Sequence, residues 1–214
     1  MPIFKDRSDA GRKLAAHIKD IMAGEDLIVL GLPRGGVPVA YEVARALGAP
    51  LDVFVVRKIG VPGDEEFAMG AIASGGIRII NEAVVRQAGV SDNDIAVAIA
   101  QEQLVLDRRE RIYRGEYEPL ALANRSLLVV DDGMATGSSM KVAVLALKAR
   151  KPAAITVAVP VASQEACDYL AKAADRVICL ETPTAFGAVG KWYVNFVQTP
   201  DEQVLQCLAM ARQA

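Results

Sequence analysis

LLVVDDGMATGSSM, residues 127–140, decides the fold, because an apolar run passes through two acids and a turn of small residues into an amphipathic segment. The aliphatic run predicts a buried strand, and the spacing of apolar residues after the turn predicts a helix. A strand that leads through a turn into a helix is the repeating unit of parallel sheets. The stretch therefore predicts an α/β protein.

The same alternation continues along the rest of the chain. Apolar runs rich in valine, leucine and isoleucine alternate with segments of helical spacing, which is typical of a parallel sheet covered by helices. We expect a doubly wound, mostly parallel sheet with helices on both faces and a small hood or insert beside it. Ligands bind such sheets at the carboxyl ends of the strands, near the point where the strand order reverses. Strands are predicted at residues 27–31, 51–57, 126–130, 153–161 and 176–181.

The chain is treated as one domain, residues 1–214, because neither an internal repeat nor a low-complexity linker divides it. The segment KIGVPGDEEFAMG, residues 58–70, contains three glycines, a proline and an acidic cluster, and this composition favours a flexible loop. Asn81 and Ser91 are predicted to cap two helices of an insert. The segments expected within the domain are an N-terminal helix capped by Ser8, the flexible loop at 58–76 with a hairpin at 70–80, the helical insert at 81–125, and a C-terminal hood segment at 182–214.

Composition and charge exclude several classes of protein. The 214 residues are 52% hydrophobic and 5% aromatic, with a formal net charge of −2 and no basic tail, so nucleic acid is not expected as a partner. No apolar stretch approaches the ~18 residues that span a bilayer, and the charged start lacks a secretory signal. Three scattered cysteines predict neither a disulfide framework nor a zinc site. We therefore expect a cytoplasmic protein with no membrane partner.

His17 is the single histidine of the sequence, and it lies in the predicted N-terminal helix. A metal site built from several histidines is excluded, and a nucleophilic centre with a histidine base would have to use this residue. We expect His17 to be structural or solvated. A site in this chain is therefore expected to work without a catalytic histidine.

The turn formed by Ala135, Thr136, Gly137, Ser138 and Ser139 follows the strand and opens the helix, where N–H groups point outward with the positive end of the helix dipole. With its three hydroxyl groups, this turn suits a phosphate monoester. The alternative is an ordinary helix cap made by Ser138 or Ser139, and the turn alone does not decide. Neither GxxxxGK[ST] nor GxGxxG occurs in the sequence, so the turn is not a P-loop or a dinucleotide fingerprint.

Asp131 and Asp132 favour the phosphate over the simple cap. A phosphate repels nearby carboxylates, and more strongly in a cleft of low dielectric constant, so the acids must serve hydroxyl groups or a cation on the same ligand. A ligand with vicinal hydroxyl groups beside a phosphate is a ribose 5-phosphate. The alternative for the two acids is a solvated strand end.

Two basic segments are candidates for a second anion site. GLPRGG, residues 31–36, places an arginine before two glycines, which allow a positive φ or an unusual peptide geometry and expose N–H groups. Arg57 and Lys58 follow at the end of another predicted strand. The alternatives are a tight turn and a solvated pair. Because all of these loops follow strands, we expect them at one edge of the sheet.

LLVVDDGMATGS closely resembles the phosphoribosyl diphosphate signature of the type I phosphoribosyltransferases, and GLPRGG looks like the diphosphate-binding loop of that family. The resemblance covers about residues 25–180 in order, and the stand-alone bacterial members are the most similar. It implies transfer of the 5-phosphoribosyl group from 5-phosphoribosyl 1-diphosphate (PRPP) to a nitrogenous base, with release of diphosphate. It also implies Mg²⁺ as a cofactor, a flexible active-site loop at 58–76 and a homodimer.

The resemblance assigns a role to each candidate residue. Asp131 and Asp132 would hold the ribose hydroxyl groups, and Mg²⁺ would be held mainly through the substrate, with either acid as an additional ligand. Carboxylates here favour a transition state that resembles an oxocarbenium ion, and cations help diphosphate to leave. The residues expected to be catalytic are Asp131, Asp132, Arg34 and Lys58. Those expected to bind substrate are Gly35, Gly36, Arg57, Ala135, Thr136, Gly137, Ser138, Ser139 and Trp192.

Ala135 and an aromatic segment bear on the identity of the base. Hypoxanthine-guanine members of the family carry an acid where this chain has Ala135, so the resemblance disfavours a 6-oxopurine and favours an adenine or uracil type. AFGAVGKWYVNF, residues 185–196, concentrates aromatic side chains, and Trp192 is expected to stack on the base. The alternative is that this segment packs in the core or at a subunit contact.

Two other functions stay open at this point. A regulator that senses PRPP or a nucleotide without turnover would keep the same site, although the sequence has no added helix-turn-helix for DNA. A hydrolase or phosphatase that uses the two acids and Mg²⁺ would leave GLPRGG without a role. Of the three functions, a transferase is favoured, because it gives a role to the two acids, to the turn at 135–139 and to GLPRGG together.

Overall fold

Strands and helices alternate over most of the chain in the computed structural model, which describes residues 1–213 and, for residues 65 and 66, the backbone alone. The strands are β1 (Leu27–Gly31), β2 (Leu51–Val53), β3 (Val56–Val61), β4 (Asp64–Ala73), β5 (Ile77–Ile80), β6 (Ser126–Val130), β7 (Ala154–Val161) and β8 (Arg176–Glu181). The α-helices are α1 (Arg7–Ile18), α2 (Gly36–Leu47), α3 (Glu82–Ala88), α4 (Asp92–Arg114), α5 (Ser138–Lys148), α6 (Gln164–Ala171) and α7 (Asp201–Arg212). A short 3-10 helix spans Val189–Trp192.

The chain contains two compact units, although its composition carries no signal for a division. The first comprises Met1–Phe54 and the chain from Pro119 onward, and the second comprises Val55–Glu118. Each unit has its own sheet, with five strands in the first and three in the second.

The sheet of the first unit is fully parallel, with the strand order β2-β1-β6-β7-β8. All residues of β1 are buried, as are the last four of β6, which is why these strands read as continuous apolar runs. Gly31 and Val130 are partners in the register, so β1 and β6 end side by side. The chain leaves β1 toward one edge of the sheet and leaves β6 toward the other, which makes their junction the switch point of the topology.

Helices cover both faces of this sheet, as the sequence predicts. Crossover connections between parallel strands are right-handed, so α2 lies on one face while α5 and α6 lie on the other. Helix α2 packs against α1 and α7, and α5 packs against α6. The α/β class and the mostly parallel sheet are therefore confirmed.

The second unit is an antiparallel sheet, β3-β4-β5, packed with α3 and α4. Asn81 and Ser91 cap these helices, as predicted, and each side chain accepts hydrogen bonds from N–H groups of the first turn. The predicted hairpin is present between β4 and β5. Residues 58–76, expected to be a flexible loop, instead lie mostly in β3 and β4, which pair as an antiparallel hairpin. Ile59, Met69 and Ile72 are buried, and this burial stabilises the hairpin.

Two local predictions are wrong. Residues 51–57 were expected to be one strand, but β2 ends at Val53 and β3 belongs to the other sheet, because the chain passes between units there. The N-cap of α1 is Asp6 rather than Ser8; the Asp6 carboxylate accepts a hydrogen bond from the N–H of Asp9 at 2.8 Å. His17 lies exposed in the last turn of α1, as expected.

Among the described residues, no helix combines the length and apolar composition that crossing a membrane requires.

Candidate active site at the ends of β1 and β6

The first loop of the candidate site connects β1 to α2. Gly35 precedes α2 with an ordinary helical φ of −61°, so this glycine is not needed for a positive φ. A Cβ at Gly35 would instead overlap the carboxylate of Asp132, and a Cβ at Gly36 would lie 2.7 Å from a backbone oxygen of β6. The peptide bond between Pro33 and Arg34 is cis, the unusual geometry that the sequence allowed. The glycines therefore let this loop lie directly against the end of β6.

The second loop connects β6 to α5, and the N-cap residue of the helix is a glycine. Gly137 has a φ of +70° and no side chain with which to cap the helix, while the Thr136 hydroxyl group accepts a long hydrogen bond, 3.4 Å, from the N–H of Ser138. Ser138 and Ser139 lie inside the first turn of α5, so neither is its N-cap residue, and the alternative that the sequence left open does not hold. The hydroxyl groups of Thr136 and Ser138 are 3.0 Å apart. The turn therefore presents hydroxyl groups together with the positive end of the helix.

The connection between β7 and α6 fixes this turn from the side. The Ser163 hydroxyl group donates to the carbonyl oxygen of Ala135 at 2.8 Å, and the Ser163 N–H donates to the carbonyl oxygen of Met134 at 3.0 Å. A Cβ at Gly137 would overlap the side chain of Leu170. The turn is thus held on one side while Ala135 and Thr136 stay exposed on the other.

Asp131 and Asp132 lie at the end of β6, and their environments differ. The N–H of Asp132 donates to Asp131 Oδ1 at 2.8 Å. Burial and the negative charge of Asp132 raise the pKa of Asp131 well above its ordinary value. Burial also raises the pKa of Asp132, but the Arg7 guanidinium opposes the shift. The two acids are therefore chemically distinct, because Asp132 pairs directly with Arg7, whereas Asp131 accepts from the N–H of Asp132.

Arg7 and Tyr193 contact the acids, and the sequence did not single out either residue for this role. Arg7 Nε donates to Asp132 Oδ2 at 2.8 Å, and the Tyr193 hydroxyl group donates to the backbone oxygen of Asp132 at 2.6 Å. Burial raises the pKa of the Tyr193 hydroxyl group, which therefore stays protonated and able to donate. The partners are 125 and 61 residues apart along the chain, so no local pattern could have revealed them.

Arg34 lies in the first loop beside the start of α7. Its guanidinium is 4.0 Å from the carboxylate of Asp201, a long ion-pair distance, and its side chain is partly exposed. An exposed pair of this kind contributes little to stability. Arg34 is thus placed at the end of β1 without a short ion pair to Asp201 in this structure.

Arg57 and Lys58 were expected at the end of a strand of the parallel sheet, but they lie within β3 of the second unit. Arg57 Nε is 2.6 Å from a carboxylate oxygen of Glu102 on α4, while Lys58 is exposed. The expected position was wrong because β3 starts only after the chain has passed into the second unit at Val55. Their role in binding an anion stays a prediction.

The aromatic segment at 185–196 packs mainly into a cluster of the first unit. Phe186 and Tyr193 are buried against Phe4, which is the packing alternative that the sequence left open. Trp192 is half-buried, and its indole N–H donates to the carbonyl oxygen of Phe186 at 3.1 Å. Part of the Trp192 side chain remains accessible to a ligand. Stacking of Trp192 on a base stays a prediction.

The chemistry of the acids fits a divalent cation that a ligand helps to hold. Carboxylate oxygens are the ligands that Mg²⁺ prefers. The raised pKa of Asp131 means that its negative charge is unfavourable in this environment, and a bound cation would offset that cost. In the described part of the chain, no three histidine, cysteine or acidic side chains form a group able to hold a metal ion. Asp131 and Asp132 would therefore share the cation with oxygens of the ligand.

Comparison with known proteins agrees with this geometry. The model of the phosphoribosyl transferase domain matches residues 4–202. Two curated proteins from strains of Mycobacterium tuberculosis, each named "putative phosphoribosyl transferase", are 44% identical over 212 residues, which are 99% of this chain and 47% of theirs. This chain thus spans about half the length of these curated relatives.

Solved structures extend the likeness to the fold. A crystal structure of a Thermus thermophilus protein is 41% identical, covers 98% of this chain and 99% of its own, and has a TM-score of 0.87. A hypothetical protein from Neisseria gonorrhoeae, solved with bound ppGpp, has a TM-score of 0.51 over 99% of this chain and 98% of its own. Its identity is 14%, so it is a likeness in fold alone.

Proposed function

The chain belongs to the phosphoribosyl transferase domain family, and from this premise we propose that it is an Mg²⁺-dependent phosphoribosyltransferase. In the proposed reaction the 5-phosphoribosyl group passes from PRPP to a ring nitrogen of a base, and diphosphate is released. Nucleophilic attack forms the bond from that nitrogen to the anomeric carbon, while the bond from this carbon to the diphosphate oxygen breaks. The electron pair of the broken bond leaves with the diphosphate, and the proton of the attacking ring nitrogen passes to the departing diphosphate or to water.

The observation that carries the proposal is a pair of acids shortly before a helix start whose N-cap residue is a glycine. Both features lie in the single connection from β6 to α5. The helix start and the hydroxyl groups of Thr136, Ser138 and Ser139 suit the 5-phosphate. Asp131 and Asp132 suit the ribose hydroxyl groups, which donate hydrogen bonds to carboxylates. A phosphorylated ribose uses both features at once.

The diphosphate of PRPP is assigned to the loop at the end of β1. Arg34 supplies a guanidinium there, and Gly35 and Gly36 bring the backbone of this loop against the acids. A guanidinium pairs well with phosphate oxygens because its N–H groups form a planar fork. When bound, Mg²⁺ would neutralise diphosphate oxygens and so stabilise the leaving group.

The residues of the chain promote the reaction mainly by placement and by charge. Positive charge develops at the anomeric carbon as the diphosphate leaves, and in the proposed binding mode the Asp131 and Asp132 carboxylates would stabilise it. Arg34 would hold the departing diphosphate, and we propose the same for Lys58. A site that orients two substrates and excludes water needs no histidine base.

The base is assigned to the adenine or uracil type. Ala135 is exposed at the position where the resemblance places an acid in 6-oxopurine enzymes, so no acid is available there to manage a purine proton. The half-buried Trp192 is the proposed stacking surface.

We also propose a homodimer formed through α4 of the second unit. Its outer face carries four exposed apolar side chains: Val97, Leu104, Val105 and Ile112. An antiparallel pair of α4 helices, one from each copy, would bring Leu104 to Val105 of its partner, because the pairing is symmetric about the middle of this apolar face. The same pairing brings the acidic first turn of α4 toward the basic last turn of its partner.

The function is tested by incubating the protein with PRPP, Mg²⁺ and a panel of bases, and identifying nucleotide products by mass spectrometry. We expect one base of the adenine or uracil type to yield a nucleoside monophosphate with an equal amount of diphosphate. Binding of PRPP without turnover on any base would instead support a nucleotide-sensing regulator. Release of inorganic phosphate or ribose 5-phosphate without a base would support a hydrolase.

A further inference from the structure

Arg7, in the first turn of α1, is held in one orientation by three different contacts. Its Nε donates to Asp132 Oδ2 at 2.8 Å, and its Nη1 donates to the carbonyl oxygen of Val197 at 2.7 Å. Its guanidinium carbon also lies 4.1 Å from the centroid of the Phe196 ring. The side chain is 12% exposed, so the pair with Asp132 is shielded from water and salt.

The backbone places Arg7 by joining two distant parts of the first unit. The N–H groups of Val194 and Asn195 donate to the carbonyl oxygens of Phe4 and Lys5 at 2.8 and 2.9 Å. Residues 3–7 and 192–197 are therefore joined by backbone hydrogen bonds, and each segment supplies one side chain, Arg7 or Tyr193, that contacts Asp132. The Tyr193 hydroxyl group, which donates to the Asp132 backbone oxygen at 2.6 Å, fixes the same residue from a second side.

The ion pair also supports the loop assigned to the diphosphate. A Cβ on Gly35 would overlap Asp132 and would lie 3.1 Å from Arg7 Nε. Gly35 thus packs on the pair itself. Loss of Arg7 would release the Asp132 side chain and would remove part of the surface on which this loop rests.

The charge of Arg7 bears on the conflict between two acids and an anionic ligand. One positive charge 2.8 Å from Asp132 offsets one of the two negative charges that a phosphate or diphosphate group must approach. Because Arg7 is paired with Oδ2, a hydrogen bond from a ribose hydroxyl group would use the other carboxylate oxygen of Asp132.

We propose that Arg7 is a positioning residue for PRPP, which orients Asp132 for the ribose and supports the Gly35 loop for the diphosphate. The inference rests on the proposed function. Arg7 touches neither substrate; it acts through Asp132 and Gly35. Its loss therefore weakens PRPP binding more than it slows turnover at saturating PRPP, and it leaves the KM for the base nearly unchanged.

The test compares Arg7→Gln, Arg7→Lys and wild type by calorimetric titration with PRPP and Mg²⁺, and by steady-state kinetics. We expect Arg7→Gln to raise the Kd and KM for PRPP by ~10- to 100-fold, with a smaller change in kcat. Arg7→Lys keeps the charge but loses the fork of N–H groups, so it should recover part of the affinity. Arg12→Gln, which alters an exposed arginine of the same helix paired with Glu42, is the matched control and should bind like wild type.

A double-mutant cycle with Asp132→Asn distinguishes positioning from general destabilisation. If Arg7 acts through Asp132, adding Arg7→Gln to Asp132→Asn should lower PRPP affinity little further. Folded Arg7→Gln that binds PRPP as tightly as wild type overturns this inference alone, and so does a double variant with fully additive losses. If Arg7→Gln does not fold, an Arg7→Lys variant with wild-type PRPP affinity and a wild-type melting curve overturns it equally. A wild-type protein that does not bind PRPP overturns both the inference and the proposed function.

Discussion

Asp131 is a residue whose buried carboxyl group lowers the stability of the ligand-free protein. Burial and the negative charge of Asp132 raise its pKa well above the ordinary value. A carboxyl group whose pKa is higher in the folded than in the unfolded protein holds more protons in the folded state between the two values. The free energy of unfolding therefore falls as the pH rises through that window. The ligand-free protein bears this penalty in full once the pH exceeds both values.

We expect Asp131→Asn to stabilise the ligand-free protein at about pH 7 while weakening PRPP binding, because the amide removes a buried charge. The melting temperature should rise by roughly 2–4 °C for each kcal/mol regained, and the gain should shrink as the pH falls toward ~4. Differential scanning calorimetry across this pH range measures both effects. Asp20→Asn, an exposed acid in the turn after α1, is the control and should show neither. A lower melting temperature for Asp131→Asn at neutral pH would contradict this account of the site.

Residues with an unusual local sequence pattern could be identified from the sequence, whereas residues that reach the candidate site from distant parts of the chain could not. The two acids and the Gly137 turn stood out in the sequence because a charged pair after an apolar strand is unusual. Arg7 carried no such signal, since a buried ion pair across 125 residues exists only after folding. Trp192 was singled out for the base, whereas its neighbour Tyr193 donates the 2.6 Å hydrogen bond to the backbone of Asp132.

At the scale of elements, strand ends and helix starts determine what the site can bind. The loop after β1 reaches the end of β6 only because Gly35 has no side chain, and Asp132 occupies the space that a Cβ would need. The N-cap residue of α5 is Gly137, which has no side chain to cover the first turn of the helix. The periodicity of the sequence predicted these elements, but not that the two loops touch.

Gly35→Ala should weaken PRPP binding by ~100-fold or more, because the methyl group displaces either the loop or the Asp132 carboxylate. The global fold should change little, since the substitution lies at a partly exposed loop. Gly24→Asn is a matched control: Gly24 has a φ of +79° and open space around it, and asparagine tolerates that conformation. Titration with PRPP and circular dichroism provide the measurements. Affinity within about threefold of wild type would show that the close approach has no role in binding.

Two of the predicted helix caps were confirmed and the cap of α1 was not, while the strand prediction failed where the chain changes sheets. Asn81 and Ser91 were predicted correctly as helix caps because each side chain accepts hydrogen bonds from backbone N–H groups only two or three residues later in the chain. The run at 51–57 has uniform β-propensity, yet β2 and β3 pair with different strands. Only the tertiary pairing separates them, and propensity carries no information on which sheet a strand joins.

At the scale of the whole molecule, the exposed apolar face of α4 predicts self-association. Leu104 is 73% exposed, an unusual position for a large apolar side chain at the middle of a long helix. We expect wild type to be a dimer in sedimentation equilibrium and Leu104→Arg to be a monomer with an unchanged melting curve at low concentration. Leu145→Arg, which alters a partly exposed leucine on α5, should remain dimeric. A monomeric wild type, or a dimeric Leu104→Arg, would exclude this interface.

The family and the fold class followed from one stretch of sequence because the strand, the two acids and the turn of small residues are contiguous there. The division into two units did not, since no linker composition marks the change at Phe54 and Val55. Arg57 and Lys58 show the consequence: they were expected at the end of a parallel strand and lie inside an antiparallel one. Adjacent residues can thus belong to separate folding units without a signal in composition.

The central claim is that Asp131 and Asp132 hold a ribose beside the phosphate turn, and PRPP affinity tests it most directly. Isothermal titration with PRPP and Mg²⁺ should give saturable binding for wild type. The double variant Asp131→Asn with Asp132→Asn should lose at least about 100-fold in affinity while keeping its fold, because amides replace the charged acceptors that hydroxyl groups prefer. A double variant that binds PRPP as tightly as wild type would contradict the assignment of the site.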